Sequence, residues 1–331
     1  MTFFVLALLR VTMSILERKT AKVNEPAYVK DFSEYGKIYQ ILCSPFEWTK
    51  EIILVAFEHR ILLTKSTLQE SLQVTKLAEF GHPARCTCLS LSPNTSLNVV
   101  PNEVLFCSGA ADYKIRVFQG DLQDKSVCRV LSGHTSYIND VSFNTENKYL
   151  ASGSDDNTAR VWYVGKYNLK LTLHLSSAVV AVAWHAADAR KLLVGEKIGL
   201  IKFYNVESET PILSLDFAKS LTSVHWCPSE SLVLASLQLG EVLFWDLSKP
   251  CLPQQSNLVF SENGGQVRFS PHEELYATVN SLEGSLKVFH IKTQTIKLSV
   301  SVCLPTNIQW HYHYPLICVG DDSKLCFWKV N

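Results

Sequence analysis

Seven stretches of this chain end alike. Each has two or three apolar or β-branched residues, then an aromatic or a Leu/Cys, then a turn that is often Ser-Pro or Cys-Pro. They close at Cys43-Ser44-Pro45, Leu91-Ser92-Pro93, Phe143-Asn144-Thr145, Trp184-His185-Ala186, Trp226-Cys227-Pro228, Phe269-Ser270-Pro271 and Trp310-His311-Tyr312. Successive anchors lie roughly 41 to 52 residues apart, the period of a four-stranded propeller blade. A second series of aromatics, Phe118, Trp162, Tyr204, Trp245, Phe289 and Trp328, runs in phase at about 39 to 44 residues. Blade 1 has only the apolar run Arg60-Ile61-Leu62-Leu63 at that place. Two series with one period predict an all-β chain folded as a seven-bladed β-propeller.

A chain of 331 residues is often two domains. A ring of blades is one unit, because each blade buries its faces against its neighbours. The composition, 47% hydrophobic and 19% charged, fits strands covered on both faces. Leu192-Leu193-Val194 and Leu316-Ile317-Cys318-Val319 read that way. The 31 basic and 31 acidic residues cancel, and no five like charges run together, which argues against nucleic acid as a direct partner. Ten cysteines stand singly with no C-x-x-C, most of them in apolar strand contexts as small hydrophobes, which suggests a reducing, intracellular setting. Cys86 and Cys88, at strand spacing, read as two packed thiols on one face.

The apolar run Phe3 to Leu9 is far short of the roughly 20 residues that span a bilayer, and no basic residue precedes it as in a signal peptide. The blade pattern begins near Ala27. Residues 1–24 therefore read as a non-propeller extension and 25–331 as the ring. The repeat is read as an outer strand followed by inner, middle and third strands, in blade 3 Cys128–Leu131, Tyr137–Phe143, Tyr149–Ser152 and Thr158–Trp162. The outer strands of blades 4 to 7 are placed at Lys170–His174, Ile212–Asp216, Leu258–Ser261 and Ile296–Ser301. The chain stops after a third strand, so the spare segment Ala27–Phe32 is expected to complete the last blade and close the ring. The polar stretches Ser66–Gln73 and Asn94–Asn102 read as surface loops.

Blade 3 carries Gly133-His134, Ser152, Asp156 and Trp162. This resembles the GH…W-D signature of WD40 repeats. The resemblance implies a structural tetrad, His134, Ser152, Asp156 and Trp162, in which an indole N–H that only donates is linked through hydroxyl and imidazole to a carboxylate that only accepts. Ser, His and Asp together also suggest a hydrolase triad. The spacing, the terminal Trp and strand burial favour a structural lock. Elsewhere the signature is degraded. Blade 2 has His82, Ser108 and Asp112 but ends in Phe118. Blade 5 has Trp245-Asp246 but Leu239 at the turn, and blade 7 has Asp322 before Trp328 without a Gly-His.

Finer wording points further. Phe106-Cys107-Ser108-Gly109-Ala110-Ala111-Asp112-Tyr113-Lys114-Ile115-Arg116-Val117-Phe118 followed by Asp121-Leu122-Gln123-Asp124-Lys125 resembles the thirty-seven-kilodalton WD-repeat nucleoporin family. So do Gly195–Tyr204, Ser223–Cys227 and the ending Gly320–Trp328, and the resemblance covers residues 27–331. It implies a scaffold subunit of the Y-shaped outer-ring complex of the nuclear pore, located at the nuclear envelope. It also implies docking on a large α-solenoid nucleoporin beside other Y-complex subunits, in support of nucleocytoplasmic transport and pore assembly. Vertebrate relatives also visit kinetochores in mitosis, a role not carried to this chain. The single Phe-Gly, Phe80-Gly81, sets it apart from the disordered Phe-Gly barrier nucleoporins. No enzyme activity, cofactor, metal or small-molecule substrate is expected. Neither ring closure nor packing explains the loop residues Tyr113, Asp121, Gln123 and Asp124, which makes them candidate partner contacts.

Three other readings compete. Cullin-ligase substrate receptors resemble one another in W-D-x-R, but here Trp245-Asp246-Leu247-Ser248 has Ser in place of Arg. His311-x-His313, with His185 and His225 at equivalent positions, suggests metal, but zinc needs three or four converging ligands and no third one is local. A signalling or trafficking adaptor built on the same ring is the third.

Overall fold

Strand propensity and the repeated Ser-Pro, Asn and Gly turns break the chain into short antiparallel runs. A computed structural model describes residues 25–98, 102–122, 126–228, 230, 232–272 and 274–330. After β1 (Tyr28–Asp31), blade 1 comprises β2 (Gln40–Cys43), β3 (Ile52–Ala56), β4 (Arg60–Leu68) and β5 (Leu72–Gly81). Blade 2 comprises β6 (Cys86–Leu91), β7 (Val104–Ala110), β8 (Ile115–Gly120) and β9 (Ser126–Leu131). Blade 3 comprises β10 (Ile138–Phe143), β11 (Tyr149–Ser154), β12 (Thr158–Tyr163) and β13 (Leu169–His174). Blade 4 comprises β14 (Val179–Trp184), β15 (Lys191–Glu196), β16 (Leu200–Asn205) and β17 (Thr210–Asp216). Blade 5 comprises β18 (Leu221–Trp226), β19 (Val233–Gln238), β20 (Glu241–Asp246) and β21 (Gln255–Leu258). Blade 6 comprises β22 (Gln266–Phe269), β23 (Leu275–Asn280), β24 (Ser285–His290) and β25 (Ile296–Ser301). Blade 7 joins β26 (Pro305–Trp310), β27 (Leu316–Asp321) and β28 (Lys324–Lys329) to β1, with Val29 opposite Cys326 in an antiparallel register.

The first strands of successive blades stand side by side, and β2 has β6 on one side and β26 on the other. One apolar layer fills each gap between blades. The layer joining the two ends of the chain packs Ile41, Ile53, Val55 and Leu62 of blade 1 against Leu316, Cys318, Leu325 and Phe327 of blade 7. Middle strands are buried on both faces, as in the fully buried β3, which is why they read as apolar runs. The blades taper inward, so Gly109, Gly153, Gly195 and Gly320 take equivalent places where a Cβ would run into Ile138, Val179, Leu221 and Ile38 of the next blade.

The turns between second and third strands, with the segments crossing to the next blade, form one face of the disc, here called the upper face. The turns after the first and third strands form the lower face. On this geometry the repeat and the blade are offset by one strand. Cys128–Leu131, Lys170–His174, Ile212–Asp216 and Ile296–Ser301 hydrogen-bond to the blade before the one to which the sequence assigned them. Leu258–Ser261 is not a strand; β21 ends at Leu258, and the Val259 and Phe260 amides turn to the Gly240 carbonyl. Ser66–Gln73 is not a loop either, because β4 and β5 extend as one long hairpin to the Leu68–Leu72 pair. Cys86 and Cys88 do not pack on one face, since a bulge between them turns Cys86 into the layer facing blade 1 and Cys88 into the layer facing blade 3. Among the described residues no helix is long and apolar enough to cross a membrane.

Candidate functional site

The four polar residues singled out in blade 3 converge. His134 lies in the crossing before β10, Ser152 on β11, Asp156 at the upper turn and Trp162 on β12. The Trp162 indole donates to Ser152 Oγ at 3.0 Å, and Ser152 Oγ lies 2.8 Å from His134 Nε2. His134 Nδ1 lies 2.8 Å from Asp156 Oδ2. Burial holds the His134 pKa below its usual value, so the ring is neutral, with its proton on Nδ1 toward the carboxylate and Nε2 accepting from Ser152. Burial alone would raise the Asp156 pKa. The Thr158 hydroxyl, the Thr135 amide and His134 outweigh it and hold the group at about 2. Every member has its partner, the condition under which a buried polar network stabilises. Ser152 is fully buried and receives the indole proton, so its oxygen is closed to substrate.

Other blades keep fragments of this lock. In blade 2, His82 Nε2 lies 2.8 Å from Ser108 Oγ, while Asp112 turns away to a two-pronged ion pair with Arg116 at 2.9 and 2.6 Å. In blade 5, Trp245 donates to Ser236 Oγ at 2.9 Å with no histidine behind it. Ser236 stands where Ser152 stands in its blade, a correspondence the sequence reading missed. In blade 7 the buried Trp328 indole has no partner.

A second polar system links the first strands. Each presents an unpaired edge to the central channel, and side chains of the preceding blade supply acceptors for its amides. Ser90 accepts from Phe143 N, Asp140 from Val182 N, His225 from Phe269 N and Asn307 from Ile41 N. Asn307 also donates to the Ile41 carbonyl at 2.8 Å, so blade 7 grips blade 1 twice. The channel is a polar cavity of about 100 Å³. In it, burial raises the Asp140 carboxyl to about 6, and the Arg268 guanidinium donates to Ser223 Oγ and the Val267 carbonyl.

In blades 1 to 4 and 7 the residue after the first-strand anchor caps the turn that follows, as Asn144 does by accepting from Lys148 N and Tyr149 N. Ser44 and Ser92 accept from the amides two residues on. His185 Nδ1 accepts from Ala187 N and Asp188 N, and His311 Nδ1 from His313 N and Tyr314 N. His311 Nε2 is engaged by Ser66 Oγ at 2.9 Å, which leaves that ring no free nitrogen for a metal. Among the described residues no three His, Cys, Asp or Glu side chains converge as a metal site.

The candidate contacts do not form one patch. Tyr113 sits in the upper turn before β8, with φ +67°, packed edge-to-face on Tyr137 at 5.3 Å. Asp121 follows β8 on the lower face, so the two lie at opposite ends of a six-residue strand, about 20 Å apart. Gln123 and Asp124 lie outside the described residues.

Comparison with known proteins bears on this ring. The "WD domain, G-beta repeat" family matches residues 74–119 and 125–163. Nucleoporin Nup37 of mouse is 33% identical over 328 residues, covering 95% of this chain and 99% of the mouse protein. Nup37 of human is 33% identical over 320 residues (92% and 97%), and that of Drosophila melanogaster 35% identical over 320 (93% and 98%). The chain belongs to the Nup37 family of WD-repeat nucleoporins. The first matched repeat of this Nup37-family chain runs from β5 to the end of β8, so it too begins on the outer strand of the preceding blade.

Proposed function

We propose that this chain is a non-enzymatic scaffold subunit of the Y-shaped outer ring of the nuclear pore, at the nuclear envelope. It docks there on a large α-solenoid nucleoporin and supports pore assembly and nucleocytoplasmic transport. One observation carries the reading: similarity to Nup37 proteins runs across almost the whole of this chain and of each relative. The physical design agrees with it. The ring is closed by β1 pairing with β28, its Ser-His-Asp set is sealed inside a blade, and Asp140 and Asn307 in its channel are tied to backbone. Residues 1–24 are proposed to lie outside the ring, and Tyr113 and Asp121 to sample two separate faces as partner contacts.

Purification of the tagged chain from its own cells tests this. Recovery of the large solenoid nucleoporin in near-equal amount is expected. Recovery of a cullin adaptor without nucleoporins would replace the scaffold reading with that of a substrate receptor. The Trp245-Asp246-Leu247-Ser248 segment speaks against the latter, since Asp246 is folded back on the Ser248 amide and hydroxyl at 2.8 and 2.6 Å.

A further inference from the structure

The upper face is not uniform. Blade 3 presents Asp155 and Asn157 there, whereas blades 5 and 6 and the crossing to blade 7 present leucines. Leu239 at the blade 5 turn, Leu258 at the upper end of β21, Leu282 at the blade 6 turn and Leu304 in the crossing to blade 7 are 47, 73, 76 and 53% exposed. Amide hydrogen bonds to carbonyls and carboxylates make this sector continuous. Val259 N and Phe260 N donate to the Gly240 carbonyl, Ser261 N to Glu283, Val302 N to the Gly284 carbonyl and Leu304 N to Asp321.

The leucines alternate with carboxylates. Glu283 accepts from Ser261 N, Ser261 Oγ and Glu262 N, and Asp321 from Leu304 N. The nearby cations leave the carboxylates in excess: Lys219 pairs with Glu241 at 2.6 Å, Lys287 donates to the Val259 carbonyl, covers the Phe260 ring and acts on Glu283, and Lys324 lies opposite Asp321, while Glu262 and Asp322 add two further carboxylates.

Exposed leucines spread over three adjoining blades and edged by carboxylates suit an apolar stripe flanked by basic residues. The surface is built from turns and crossings, and the Val259, Phe260, Val302 and Leu304 amides are already bonded, so it offers no free strand edge. Its occupant must satisfy its own backbone, as a helix does. Sheets pack about 10 Å apart, so the sector spans about 20 Å, the length of a helix of about 13 residues.

We infer that the blade 5–7 sector of the upper face seats one amphipathic helix whose leucine-rich stripe is bordered by Lys or Arg. Resting on the docking proposed above, this gives the α-solenoid partner a specific element to contribute.

The test uses the full chain and a Leu239→Glu/Leu282→Glu/Leu304→Glu variant. Circular dichroism and urea midpoint establish that the variant matches the parent; if it unfolds, Leu282→Glu alone replaces it. Two probes are titrated: the purified large α-solenoid nucleoporin from the same cells, and a synthetic leucine-striped helix in Lys-flanked and Glu-flanked forms. Affinity for the solenoid is expected to drop at least about tenfold in the variant, the scale of losing central apolar anchors. Equal affinity would overturn the helix seat and leave docking itself intact. If the intact chain does not bind the solenoid, docking fails and the peptides decide the seat. At least about tenfold preference for the Lys-flanked helix, lost in the variant, supports it; no preference overturns it.

Discussion

Replacing Ser152 by Ala removes one hydroxyl from the blade 3 lock and orphans two groups at once. The Trp162 indole N–H, now 3.0 Å from Ser152 Oγ, and His134 Nε2, at 2.8 Å, would both be left buried. Taken at about 1–2 kcal/mol each, in the lower part of the usual range of about 1–3, the two unsatisfied groups make Ser152→Ala cost about 2–4 kcal/mol. Trp162→Phe is different. Ser152 keeps His134, and the donor that would have been orphaned leaves with the indole. Blade 2 already has this arrangement, with Phe118 at the aromatic position and His82 on Ser108 at 2.8 Å. Trp162→Phe should therefore cost only about 1–2 kcal/mol, for one hydrogen bond and some lost ring contact. The two changes must also couple. With Phe at 162, Ser152→Ala orphans one group instead of two, so the double variant should fall short of the sum by about 1–2 kcal/mol. Urea unfolding followed by far-ultraviolet circular dichroism, which does not depend on Trp162 emission, reads all four proteins through their midpoints. Strictly additive effects, or a Trp162→Phe cost at or above that of Ser152→Ala, would refute the network.

Acid should weaken the ring before the ordinary carboxylates titrate. Burial lowers His225 to about 3 and His311 to about 4 from 6.5, so the unfolded chain takes up protons below pH 6.5 that the folded chain refuses, and stability falls with pH. By pH 5 each costs about 2 kcal/mol, while Asp140, raised to about 6, returns about 1.4 as it protonates. A net loss of about 2–3 kcal/mol between pH 7 and 5 follows, and a flat or rising urea midpoint over that range would contradict it. Asn307→Ala strips the Ile41 N–H and C=O of their partners and should cost about 2–4 kcal/mol, with Asn307→Asp, which keeps the acceptor, milder. Gly240→Ala would set a Cβ 2.3 Å from the Phe260 carbonyl at φ +76°, and the upper turn of blade 5 should loosen, read as faster amide exchange at Val259 and Phe260.

The two aromatic series carried most of the architecture because each has a fixed mechanical job. First-strand anchors face the interblade layers, and in five blades the polar residue after the anchor caps the following turn, so neither drifts along the chain. Events that leave this period intact were invisible. The Cys86–Cys88 bulge changes which layer a side chain enters without altering spacing. The long β4–β5 hairpin is polar because it projects beyond the blade, so polarity there did not mean a loop. Blade 3 was readable as a lock because all four residue types were present. Asp112 sits at the same turn in blade 2, and both turns have an Arg four residues on, but Lys114 stands where Thr158 holds Asp156 in blade 3, and Asp112 pairs with Arg116 instead. The leucine sector went unread for another reason. Leu239, Leu258, Leu282 and Leu304 belong to different blades and meet only once the ring is assembled.

Imaging the chain in living cells, tagged at its own chromosomal locus, tests the scaffold reading most directly. A punctate rim around the interphase nucleus, coincident with other outer-ring nucleoporins, is the predicted result. Diffuse cytosolic signal with no enrichment at the envelope would contradict it.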